Sequence, residues 1–214
     1  MKPRASSAQA FAEDDARTRA HFDALARAHP GDVRAVDWGS RASQELRFSV
    51  LASIGDLNGA RVLDVGCGQG DLFAWLCAQG IRCEYSGIDL SPAMVALARQ
   101  RFPENCFEVG NLMDTPAVCA THDYVLASGI FYLRAHQPDQ YMQTMVERMF
   151  ARCTRGLAFN SLSAWGDGAP DPEEYRADPL RALAMAQDLT SRVTFRHDYH
   201  PRDFTLLLYK DAPR

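Results

Sequence analysis

Lysine is nearly absent from this chain of 214 residues: only Lys2 and Lys210 occur, and arginine supplies the rest of the 23 basic side chains. So uniform a preference reads as a composition bias rather than a functional patch. Positive charge is also in deficit, since 27 acidic residues outweigh 23 basic ones for a formal net charge of −4. A sequence-wide basic field for nucleic acid is thereby excluded, and only a local patch stays open. No apolar run approaches the roughly 18 residues of a membrane span, so no membrane association is expected. The start, Met1-Lys2-Pro3-Arg4, leads into no apolar segment, and no secretory signal is expected. The cysteines, at 67, 77, 83, 106, 119 and 153, form no C-x-x-C pair. A disulfide framework is not expected at this size, and a reducing cytoplasm fits best. Internal repeats and low-complexity linkers are missing too. What remains, 47% hydrophobic and 23% charged, is the composition of one globular domain with a sizeable core.

The chain opens with small polar residues 1–10, expected as a flexible tail. Residues 11–29 read as a helix ended by Pro30-Gly31, and about 41–55 as a second, with Leu46, Val50, Leu51 and Ile54 in one stripe. Together 11–57 are expected to form an N-terminal helical lid, with the core over 58–214. From residue 61 the pattern alternates. Short apolar strands are expected at 61–65, 82–88, 106–109, 124–127 and 156–160. Between them fall helices at 71–79, 91–101 and 138–152. Gly80 is placed as a C-terminal stop, and Ser91-Pro92 as N-cap and first helical residue. Met142, Met145, Val146, Met149 and Phe150 recur at helical spacing and read as core. A helix at 179–190 precedes two runs, 192–196 and 203–209, close enough to pair as a hairpin. The fold class is therefore α/β: a Rossmann-like, mostly parallel seven-stranded sheet with helices on both faces and a C-terminal antiparallel hairpin. Ligands of such sheets bind beyond the carboxyl ends of the strands.

The strongest motif is V-L-D-V-G-C-G-Q-G at 62–70, where a strand passes into a helix. Gly66, Gly68 and Gly70 allow a tight turn and close approach of backbone to a ligand. Asp89 ends the next strand, 19 residues after Gly70, where a carboxylate can accept both hydrogen bonds of a ribose diol. A nicotinamide-dinucleotide fingerprint needs G-x-G-x-x-G/A, but Asp71 occupies its sixth position.

Over roughly residues 60–160 the chain resembles the class I S-adenosylmethionine-dependent methyltransferases. The resemblance implies S-adenosylmethionine as cofactor and S-adenosylhomocysteine as product. It implies that the loop Gly66-Cys67-Gly68 passes under the methionine moiety, that Asp89 holds the ribose and Leu90 packs on adenine. Asn111 and Leu112, in F-E-V-G-N-L-M-D, flank the adenine edge; many family members carry an acid where Asn111 stands. Asp64 has two readings, a cofactor contact or a strand-end acid bonding loop amides. Cys67 is read as a small space-filling residue rather than a nucleophile.

Three further stretches bear on the acceptor. A-S-G-I-F-Y-L-R at 127–134 ends the fourth core strand and lacks both [DNS]-P-P-[YFW] and a Pro-Cys pair, which argues against nucleic-acid bases as acceptors. Ser128 is expected at the methionine end of the cofactor, Tyr132 as an orienting group, and Phe131 as either acceptor wall or core. R-H-D-Y-H-P-R-D-F at 196–204 offers His197 and His200 as candidate bases beside Asp198, with a structural turn as the alternative. No metal ligand set with fixed spacing is recognised. W-G-S-R-A-S-Q-E-L-R at 38–47 supplies Trp38 as an aromatic wall and Arg47 as a partner for the cofactor's carboxylate, or else a packing arginine. The turn-rich acidic stretch 165–179 is expected as a substrate loop. The expectation is methyl transfer to an oxygen or nitrogen of a small polar molecule by a monomer or homodimer. The alternatives are a tRNA or protein methyltransferase, and a binding protein without turnover.

Overall fold

The computed structural model describes residues 7–114, 121–169 and 171–211. Three short strands in the first half pair in parallel: β1 (Arg61–Val65), β2 (Glu84–Asp89) and β3 (Cys106–Val109). β4 (His122–Ala127) joins β1 on its other side, and β5 (Cys153–Leu162) joins β4, both in parallel. The hairpin of β6 (Val193–Arg196) and β7 (Asp203–Tyr209) completes the order β3-β2-β1-β4-β5-β7-β6. β7 runs antiparallel to β5 and to β6, so β6 points the same way as the first five strands. The expected fold class holds.

Side-chain alternation divides the core into two layers. On β4, Val125 and Ala127 face one layer while Tyr124 and Leu126 face the other; on β7, Leu206 and Leu208 part from Leu207 in the same way. The first layer is covered by α5 (Pro138–Arg152) and α6 (Pro179–Leu189). Met142, Met145, Val146 and Met149 are at most 3% exposed, as their spacing predicts, and each contributes on the order of 1.5–3 kcal/mol. The second layer is covered by α3 (Asp71–Ala78), α4 (Pro92–Arg101) and α2 (Arg41–Ala52). Helix α4 starts as expected: the Ser91 hydroxyl accepts from the Met94 amide and Pro92 takes the first turn.

Strands β2, β4 and β5 shift by one to three residues from their expected ends, and two differences bear on the site. Helix α1 (Ser7–Ala28) begins inside the stretch expected as a tail, and Ala10 is buried. Residues 1–6 lie outside the described residues. Helix α2 was grouped with the lid, yet Phe48, Leu51 and Ile54 pack on Val62, Leu126 and Leu207 in the second layer. Its apolar stripe needs the sheet to cover it, whereas α1 is Ala-rich and polar enough to lie over loops. The cover consists of α1, a short 3-10 helix at Val33–Val36 that the sequence reading missed, and the first turns of α2 at Ser43, Gln44 and Arg47.

Candidate active site

Helix α1 is tied down across the loops that leave the carboxyl ends of the strands. Asp14 accepts from the amides of Ala135 and His136 at 3.1 and 2.9 Å. Asp15 pairs with Arg134 and receives the Asn111 amide. Asp23 accepts from the Ser91 hydroxyl at 2.5 Å and the Ala93 amide at 3.2 Å. The following turn is fixed by Gln69, which accepts from Gly31 and donates to the Asp32 carbonyl, both at 2.9 Å. Under this roof lies a cavity of about 460 Å³, a size typical of small-molecule sites.

The glycine loop forms part of its floor. Gly66 has φ +75°, and a Cβ there would stand 2.3 Å from Ile130; at Gly68, with φ +52°, it would stand 2.8 Å from Val36. The positive φ and the close packing of Ile130 and Val36 both require glycine here. Asp89 accepts from the amides of Gly68 and Ser91, each at 2.8 Å, which ties the end of β2 to the loop. Each carboxylate oxygen keeps a lone pair for a further donor. Burial, partly offset by those two amides, raises its pKa.

Asp64 is 3% exposed and lines the cavity. Burial pushes its pKa up to about 7 against the lowering effect of the Tyr85 hydroxyl, which donates to it at 2.5 Å. It makes no loop-amide bond of the kind the alternative reading required; its partner is the side chain of Tyr85 on the neighbouring strand β2. A buried acid held this close to neutrality is suited to meet a cation. Cys67, 5% exposed, fills the space beside Gly87 and is kept protonated, because burial drives its thiol well above the usual range.

Leu90, Asn111, Leu112, Ser128, Trp38 and Arg47 all line the cavity, as expected of them. Two have partners that the sequence did not reveal. The Asn111 carbonyl oxygen accepts from the Met113 amide at 3.0 Å while its amide turns to Asp15. Arg47 is 4% exposed, stacks over the Trp38 ring at 4.5 Å and pairs with Asp203. It is neither a surface arginine nor free of charge partners. Ser128 and Gly129 are bridged by Asn160, which accepts from the Gly129 amide at 2.7 Å. Phe131 is 1% exposed, packed edge-on to Phe159, and belongs to the core that backs the cavity.

The two candidate bases part company. His200 lines the cavity, with Nδ1 2.7 Å from Asp203 and Arg47 at 3.3 Å. Burial and then Arg47 hold its pKa below the ordinary value, so its ring is neutral at pH 7 and a weak proton acceptor. His197 does not line the cavity: its Nε2 meets the Ser163 hydroxyl at 2.8 Å, and its ring packs with Trp165 and Phe195. One residue past the end of β6, its side chain turns to the residues that follow β5, and a catalytic part for it finds no support. Tyr132 lines the cavity and donates to Asp37 at 2.7 Å; burial, then this bond, raises its pKa far out of working range. From the acidic stretch, Glu174 reaches the cavity and receives Arg202 at 2.7 Å, while the Tyr175 amide donates to the Tyr132 carbonyl at 2.8 Å.

The sequence reading missed Asp14 and Asp15, and it gave no role to Asp37, Gln69, Asn160 and Asp203, although each stands in or beside a stretch that it singled out. Acids in an Ala-rich helix read as solvated charge, and nothing local marks them as anchors for loops a hundred residues away.

A sheet of this order, a roofed cavity at its carboxyl edge and a glycine loop beside two strand-end acids define a Rossmann-like fold built for a nucleoside cofactor. Comparison with known proteins narrows the class. A methyltransferase-domain family matches residues 62–156. Rv1506c of Mycobacterium tuberculosis, named as a methyltransferase, is 32% identical over 158 residues, 69% of this chain and 91% of its own length. The magnesium-protoporphyrin O-methyltransferase of Rhodobacter capsulatus is 37% identical over 90 residues, 39% of this chain and 38% of that one. Among solved structures, magnesium protoporphyrin IX methyltransferase from Synechocystis with bound S-adenosylmethionine superposes with a TM-score of 0.68 at 21% identity, covering 92% of this chain and 97% of that one. The chain belongs to the S-adenosylmethionine-dependent methyltransferases. No helix among the described residues is long and apolar enough to cross a membrane.

Proposed function

We propose that this methyltransferase acts on an oxygen or nitrogen of a small polar molecule. The observation that carries the reading is the roof. Helix α1 is anchored at Asp14, Asp15 and Asp23 over a cavity of about 460 Å³, which suits a cofactor and a compact acceptor rather than a polymer. Of the three cations that would make a basic docking face, Arg41, Arg47 and Arg202, two are committed: Arg47 is buried against Asp203, and Arg202 is held by Glu174. By its name, the Rhodobacter relative methylates an oxygen of a protoporphyrin, which is a small molecule.

Bound S-adenosylmethionine supplies a methyl group already activated by its sulfonium. The chain's part is to bind, align and exclude water. Asp89 accepts the ribose hydroxyls. Leu90 and Leu112 sandwich the adenine, and the Asn111 carbonyl oxygen offers its remaining lone pair to the ring's amine. Asp64 faces the ammonium, Gly66 and Gly68 admit the methionine backbone, and Ser128 and Trp38 bound its far end. Arg47 takes the carboxylate from beside Asp203.

Calorimetric titration tests the cofactor half: micromolar binding of S-adenosylmethionine and S-adenosylhomocysteine with NAD silent is the expected result. A screen of small acceptors read by S-adenosylhomocysteine release tests the other half, and activity confined to RNA or protein would refute it.

A further inference from the structure

Asp37 is the C-cap of the 3-10 helix and sits in the left-handed region, φ 59° and ψ 32°. Among the described residues only Asp37 and Gln137 do so without being glycine. Such a residue costs backbone energy and persists where the surroundings hold it. What holds Asp37 is one carboxylate oxygen shared by two donors: the Tyr132 hydroxyl at 2.7 Å and His21 Nε2 at 3.2 Å. Tyr132 stands on the cavity wall, Asp37 lines the cavity while its side chain is 43% exposed, and the His21 side chain is 38% exposed on α1. These three groups form a continuous hydrogen-bonded path from the cavity to water. Two of them belong to the roof, so the path exists only when α1 and the 3-10 helix are seated.

We propose that this path removes the proton of the acceptor, which is therefore a hydroxyl or amine and not a carboxylate. The inference rests on the small-acceptor reading above. In the step, a lone pair of the acceptor's O–H or N–H forms the bond to the methyl carbon. The S–CH3 bond breaks, and its electron pair returns to sulfur. The acceptor proton passes to the Tyr132 oxygen as the Tyr132 proton passes to Asp37, and Asp37, whose side chain is 43% exposed, then yields it to water while the His21 N–H holds the carboxylate in place. Tyr132 keeps its own proton otherwise, since burial and Asp37 both oppose the phenolate; it therefore presents oxygen lone pairs to the cavity while donating outward. Glu174, the other charged group that acts on this hydroxyl, is paired with Arg202.

The test uses the full chain, labelled S-adenosylmethionine and a bacterial cell extract split by dialysis into small-molecule and macromolecular fractions, with Asp37→Asn and Tyr132→Phe beside wild type. Asparagine tolerates the left-handed backbone and still accepts the Tyr132 hydrogen bond, so folding is preserved. Each variant is expected to lower transfer by about a hundredfold, the usual contribution of a proton acceptor, with S-adenosylhomocysteine affinity unchanged. Asp37→Asn should also regain rate as pH rises and hydroxide takes over. The wild type should release one proton per methyl into an alkali-stable product. Wild-type rates in the variants, a parallel loss of cofactor affinity, or an alkali-labile ester formed without proton release would each overturn the proposal. Label confined to macromolecules removes the small-acceptor reading, and the same variants then judge the path on that product. Cofactor binding with no label in any fraction overturns both.

Discussion

Asp64 links the cofactor's affinity to pH in a way that calorimetry can read. Its carboxyl is 3% exposed, and burial lifts its pKa to about 7 from an ordinary value of 3.8. An ammonium beside it binds the ionised form, so each bound ligand must find or create that form. With a pKa near 7, the ionised fraction rises about eightfold between pH 6 and 7.5, and affinity for S-adenosylhomocysteine should rise by the same factor. Below pH 7 binding should release a proton, seen as a dependence of the apparent enthalpy on buffer. Tyr85 provides an independent check. Its hydroxyl lowers the Asp64 pKa, so Tyr85→Phe should move the affinity curve to higher pH and weaken binding at pH 7. Asp64→Asn should flatten the curve at low affinity. The same shift has a signature in folding. The folded-state pKa lies above the unfolded one, so the contribution of Asp64 to stability is fully present below about pH 4 and lost as pH rises through about 7. Asp64→Asn should therefore melt higher than wild type at pH 8 without cofactor. A flat affinity between pH 6 and 7.5 in the wild type, with buffer-independent enthalpy, would refute the placing of the ammonium.

Asp89→Ala removes the ribose acceptor and the partner of the Gly68 and Ser91 amides, and should weaken cofactor binding at least tenfold, since charge-assisted bonds are worth about 1.5–3 kcal/mol. An unchanged dissociation constant would sink the assignment. Asp203→Ala strands a guanidinium that is 4% exposed, and should cost about 3–5 kcal/mol. The melting temperature should then fall by about 10 °C, and Arg47→Met combined with Asp203→Leu should recover most of the loss. Gly66→Ala forces a side chain onto a backbone with φ +75° and to 2.3 Å from Ile130, so titration should show cofactor affinity collapsing; wild-type binding would mean the loop is not where the methionine moiety lies.

Much of this fold could be read directly. Strand β1 and helix α5 begin and end where their patterns predict, because each buries an apolar set whose period is set by local geometry; β3 does so too, although it buries Phe107 alone. The glycine loop and Asp89 were legible for a similar reason: a turn with positive φ and a strand-end acid are constraints imposed within a few residues. His197 and His200 were not distinguishable, since three residues of hairpin turn decide which ring faces the cavity and which faces Ser163.

Length, alternation and one motif thus determined the sheet, its ligand edge and the cofactor class. Tertiary structure alone decided that Arg47 is neutralised by Asp203, that α2 belongs to the core, and that Asp14, Asp15 and Asp23 fasten α1 as a roof. It also decided that Asp37 meets Tyr132 across 95 residues of chain. Periodicity and turn chemistry act within a few residues, whereas the partner of a charged side chain depends on which distant loops the packed sheet brings within about 3 Å of it.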